Sequence, residues 1–202
     1  VTRTLDEEKI DKVITIGVNS KDLNFPEFKG ANLKALRDGK IILYPYNRKP
    51  SFVFGNYKGG ENYEQKNCRI YWKNIMNITP ADLLLSINKQ IKTSKIYISI
   101  DKDVLSFNDA VTNWDQGHVK LEYIIETIKL LKKKYNIIGA DITGDYSIPK
   151  YTGSLYTQII KRVEIMIDQS SLSKNNSLTN SINEITNIRL LNFFRDINLW
   201  KK

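Results

Sequence analysis

The stretch YISIDKDVL, residues 97–105, closes an apolar run with two aspartates, Asp101 and Asp103, one residue apart. In a strand, alternate side chains face the same way, so the two carboxylates would project together. Like charges so placed repel, and at low dielectric one of them takes up a proton. A divalent cation lying between them removes the conflict, and hard carboxylate oxygens suit Mg²⁺ or Mn²⁺. The plainer alternative is a pair of solvated loop acids, one of them capping a turn. Further along, TNWDQG (112–117) offers Asn113, Trp114, Asp115 and Gln116 as pocket-lining groups, although Trp114 equally well covers a core edge. Asp141 ends a second apolar run; it either positions a metal ligand or bonds backbone amides.

These residues need elements to place them. KVITIGV (12–18) and IILYPY (41–46) read as buried strands around a short helix, NLKALRDGK (32–40), closed by Gly39. Residues 47–79 read as loop-rich, and YKGGENYEQ (57–65) as an exposed turn rather than a phosphate loop, since no Gly-Lys-Ser/Thr follows. TPADLLLSINKQI (79–91) carries a threonine cap and a first-turn proline, a helix start. Strand 96–100 comes next, ahead of helix 118–135 with Leu121, Ile124, Ile125, Ile128 and Leu131 at helical spacing, and then strand 136–143. A helix is expected over about 153–168 and a flexible polar loop at 170–181. The last helix, 182–199, turns Ile185, Ile188, Leu191, Phe194 and Ile197 to the core. Alternating strands and helices imply one α/β domain over residues 1–202, its sheet mostly parallel. In such sheets ligands bind at the carboxyl ends of strands, where Asp101 and Asp103 fall.

Composition excludes several classes. The chain has 202 residues, 41% of them hydrophobic, and no apolar run near the ~18–20 residues that cross a bilayer. Its net charge of +9 is scattered, and the densest run, KLLKKKY (129–135), fits the wet side of an amphipathic helix, so neither nucleic acid nor membrane is expected as a partner. The single cysteine, Cys68, lacks a nearby histidine, reads as a packed or surface thiol, and suits a reducing cytoplasm.

The order of these elements, SIDKD (99–103), a loop with Thr112 and Gly117, a helix, then GAD (139–141), resembles the ureohydrolase family of arginase, agmatinase and formimidoylglutamase over residues 95–147. The resemblance implies an arginase-like three-layer α/β/α sandwich and a two-metal site, usually manganese. Asp101 would bridge both ions and Asp103 bind one. The implied reaction is hydrolysis of a C–N bond in a guanidino, amidino or related compound. Asp141 and Asp145 would assist catalysis, and Asn113, Trp114, Asp115 and Asp145 would contact substrate.

Three departures qualify this. Ser106-Phe107 stands where the family often has Asp-Pro. The family's guanidinium-binding acid falls at Gly144, one place before Asp145. The family's histidine and Asp-x-His-x-Asp ligands have no counterpart here, the one histidine, His118, falling at a loop glycine. The expectation is therefore a C-terminal portion of a larger enzyme, holding part of the site and needing an N-terminal segment or a homo-oligomeric partner. The alternative is a non-catalytic α/β interaction module that keeps the fold without a working metal site.

Overall fold

A computed structural model describes residues 10–112, 114–145, 154–159 and 176–199, together with Leu5 and Arg162. The chain divides into two compact units, Val1–Thr93 and Ser94–Lys202. Parallel strand pairs occur in both, so the chain is a mixed α/β protein as expected. No helix among the described residues is long and apolar enough to cross a membrane.

In the first unit, β1 (Val13–Val18) lies parallel to β2 (Ile41–Pro45), with Val13 opposite Ile41. Between them runs α1 (Leu33–Arg37), whose start is fixed by Asn32, its side-chain oxygen accepting the Ala35 N–H at 2.9 Å. The loop-rich reading of 47–79 is corrected by three short antiparallel strands in the order β3-β5-β4: β3 (Ser51–Phe52), β4 (Tyr63–Lys66) and β5 (Arg69–Trp72). Their signal was a period of two, with Ile70 and Trp72 buried and Arg69 and Tyr71 exposed. A two-residue turn, Asn67-Cys68, joins β4 to β5, and Asn67 takes the positive φ, 51°, that asparagine tolerates. Cys68 is an exposed free thiol. Leu33, Leu36, Val53, Tyr63, Ile70 and Trp72 form the core, and the indole N–H of Trp72 donates to Ser51 Oγ at 2.7 Å inside it. The unit ends with α2 (Pro80–Asn88), capped by Thr79.

The second unit is a βαβ unit plus a long helix. β6 (Lys95–Asp101) and β7 (Asn136–Thr143) pair in parallel through α3 (Leu121–Lys134), with Ser99 opposite Asp141 and Asp101 opposite Thr143. A slip in register between Ile96 and Tyr97 leaves Ile138 unpaired and exposed. As a result Ile137, Ala140 and Ile142 share the core side with Ile96, Ile98 and Ile100. Leu121 and Ile128 of α3 pack against them, as the helical spacing predicts. Lys120 gives α3 no side-chain cap; instead Asp109 Oδ2 accepts the Leu121 N–H at 3.1 Å and the Ser106 hydroxyl at 2.7 Å.

The last helix, α4 (Asn176–Asp196), departs from expectation twice. It begins early, so 176–181 of the expected polar loop are helical; residues 170–175 lie outside the described residues. Its buried side also differs. Ile185, Ile188 and Leu191 are exposed, while Thr179, Asn183, Thr186, Leu190, Phe193 and Phe194 are buried. Asn183 explains this: its amide accepts from Val111 N at 2.9 Å and donates to Val111 O at 2.8 Å. Thr186 adds a hydrogen bond to the Asp109 carbonyl. A polar stripe satisfies the backbone of the 109–112 loop, a docking that hydrophobic periodicity does not register. Of the helix expected over 153–168, residues 155–159 are helical, and most of the remainder lies outside the described residues.

Candidate functional site

β6 stops at Asp101 because the chain tightens into a 3-10 turn, Lys102–Val104, and Asp101 caps it, Oδ1 accepting the Asp103 N–H at 3.1 Å. The turn begins before Asp103, so strand alternation does not govern the two carboxylates. They are nevertheless neighbours. Asp101 stays exposed, whereas Asp103 is half-buried and its Oδ1 is buried with no hydrogen-bond partner. Burial pushes the Asp103 carboxyl up to about 6; the Thr112 hydroxyl opposes the rise, and the charges of Asp101 and Asp115 add to it. Thr112 Oγ1 is itself buried without an aligned partner, so its effect on Asp103 is that of a nearby dipole.

β7 reaches this turn through Gly144, at φ +85°. A Cβ there would stand 2.5 Å from Asp101 Oδ1 and 2.8 Å from Lys102 N, so only glycine permits the approach. Gly144 thereby delivers Asp145 to the residue between the two aspartates. Lys102 is fully buried, and its ammonium donates to Asp145 Oδ1 and, at 2.9 Å, to Asn187 Oδ1 on α4. The Asp145 side chain is otherwise largely exposed. Sequence reasoning missed Lys102, although a signal existed: this lysine continues the inward series of Ile96, Ile98 and Ile100, where a charge demands a partner.

Asp141 serves the sheet face. Its Oδ1 accepts from Ser99 Oγ at 2.7 Å and its Oδ2 from Tyr97 Oη at 3.1 Å, both on the neighbouring strand, and the bond to Asp141 raises the Tyr97 phenol above its usual range.

The 112–117 loop is partly structural. The Gln116 amide donates to Leu105 O (2.6 Å) and Ala110 O (3.1 Å) and accepts from Thr112 N (3.3 Å), so it is spent on the backbone rather than offered to a substrate. A Cβ on Gly117 would meet Val104 O at 2.0 Å, which makes glycine obligatory. Trp114 and His118 are exposed and Asp115 is half-buried. Asn113 lies outside the described residues.

The structure thus sets Asp101 and Asp103 side by side with the charge of Asp115 acting on Asp103, pairs Asp145 with the intervening Lys102, and places Asp141 on the adjoining sheet face. As donors for a hard cation, Asp101 and Asp103 fit in chemistry, and the orphaned Asp103 oxygen is what a missing ligand partner leaves behind. They fill only part of a set: among the described residues no three or more His, Cys, Asp or Glu side chains converge to hold a metal. No family model matches the chain, and no curated protein matches it.

Proposed function

We propose that this chain carries the aspartate part of an arginase-type metal centre on a three-layer α/β/α scaffold, in a hydrolase acting on a C–N bond of a small guanidino or amidino compound. The observation that supports it most is the buried, unpartnered Oδ1 of Asp103 beside the exposed carboxylate of Asp101. Desolvating a carboxylate without pairing it costs stability, and sites that do so are over-represented among functional ones. Asp101 and Asp103 would hold manganese there, and the ion would supply the acidity needed to activate water near neutral pH. The chain's own part is to hold Asp101 in place through the Asp103 N–H, to keep Asp103 dry, and to offer the acids Asp115 and Asp145 and the exposed Trp114 to a cationic substrate. An N-terminal segment or a second subunit would provide the remaining ligands, and a cytoplasmic setting suits the lone free thiol.

A second reading, a non-catalytic α/β interaction module, draws on a different observation: the carboxylate expected to grip substrate, Asp145, is engaged by Lys102. Calorimetric titration of the chain with manganese chloride separates the two. Saturable heat at sub-millimolar manganese, abolished by Asp101→Asn and by Asp103→Asn, supports the metal reading. Equal heats for all three proteins favour the module.

A further inference from the structure

Among the features outside the aspartate pair, the buried lysine between its members carries the most. We propose that Lys102 is an internal counter-ion that keeps Asp145 away from Asp101 and Asp103 and so lowers the affinity of the pair for an added cation. The proposal rests on the reading that this pair binds a divalent cation.

Three observations support it. The Lys102 side chain is fully excluded from water, and its ammonium donates to Asp145 Oδ1 and, at 2.9 Å, to Asn187 Oδ1. A charge so buried needs its counter-charge, and Asp145 is the carboxylate that provides it. Second, Asp145 follows directly on Gly144, where an added Cβ would stand 2.5 Å from Asp101 Oδ1, 2.8 Å from Lys102 N and 3.2 Å from Asp103 N, so the chain enters Asp145 from beside the pair. Third, the rest of the Asp145 side chain is exposed, so once Lys102 is replaced by a neutral residue Asp145 can turn toward the pair without a charge being buried. Lys102 therefore acts on the aspartates in two ways. It occupies a carboxylate that would complete a three-acid cluster, and it places a positive charge in the turn that joins the other two.

The test uses the whole chain and manganese chloride alone as the probe, with binding read by calorimetry and folding by thermal melt. Lys102→Met removes the charge at nearly constant volume, and Lys102→Gln keeps a hydrogen-bond donor for Asn187 in case the methionine variant fails to fold. Either variant should bind manganese at least about tenfold more tightly than wild type. Adding Asp145→Asn should cancel most of that gain. A folded variant with unchanged or weaker affinity overturns the proposal and leaves the metal reading standing, because a merely structural lysine would loosen the site when removed. Tighter binding that survives Asp145→Asn overturns the role given to Asp145. Absence of saturable heat in wild type and variants alike overturns the metal reading, and the proposal with it.

Discussion

Asp103 shows how one side chain can be costly to the fold and useful to a site. Its carboxyl, raised from 3.8 to about 6 by burial, is ionised at neutral pH against the resistance of its surroundings. The sign follows from linkage: a folded-state value above the unfolded one gives stability that is full below about 3.8 and is lost as pH rises through about 6. Asp103→Asn should therefore raise the melting temperature by about 2–4 °C at pH 7.5 and leave it unchanged near pH 3.5, as differential scanning calorimetry would record. The same variant should lose its manganese heat. Gly144→Ala should fail in the opposite sense, destabilising the chain at every pH, because the methyl group has no room beside Asp101 and the backbone is left-handed there.

At the level of elements, α4 makes the sharpest test, since pattern and packing disagree along it. Ile185→Lys, on a side that periodicity assigns to the core, should change stability by no more than about 0.5 kcal/mol, because Ile185 is exposed. Asn183→Ala should cost about 2–4 kcal/mol by leaving Val111 N and O buried and unpaired. Urea unfolding of the two variants decides between the faces. The elements themselves were largely legible beforehand. β7 runs over the residues its apolar run marked, α1 and α2 start at their Asn and Thr caps, and α3 buries Leu121, Ile128 and Leu131. Missed were the three strands within 47–79, whose two-residue period runs for only a few positions, and the cap of α3, which comes from Asp109, twelve residues distant.

Across the whole molecule, two units with separate cores imply separable responses to a local insult. Glu27 offers a handle on the first. Partial burial pushes its carboxyl up, but the Tyr57 hydroxyl and the N–H groups of Gly55 and Phe54 outweigh this and hold it below the usual glutamate range. These three bonds, at 2.5, 2.9 and 2.7 Å, fasten the 25–30 segment to the 54–57 loop beneath edge-packed Phe25, Phe28, Phe52 and Phe54. A depressed folded-state value gives stability that is present above the unfolded value and lost as pH falls through the folded one. Hydrogen exchange should therefore show Glu27→Gln loosening residues 13–72 at neutral pH while β6, β7 and α3 keep their protection; uniform loosening across both units would contradict this. Gly144→Ala should do the reverse, loosening β6, β7 and α3 while residues 13–72 keep their protection.

The amino-acid order alone determined where most of the strands and helices form and that two acids stand at the end of the first strand of the second unit, because hydrophobic period and capping residues act within a few positions of one another. Only the tertiary structure decided what those acids face. The partners of Lys102 lie 43 and 85 residues away, the orphaned oxygen of Asp103 depends on what covers it, and the buried side of α4 follows from a loop backbone that asks for hydrogen bonds. Desolvation and pairing arise where distant segments cross, and no local pattern encodes the crossing.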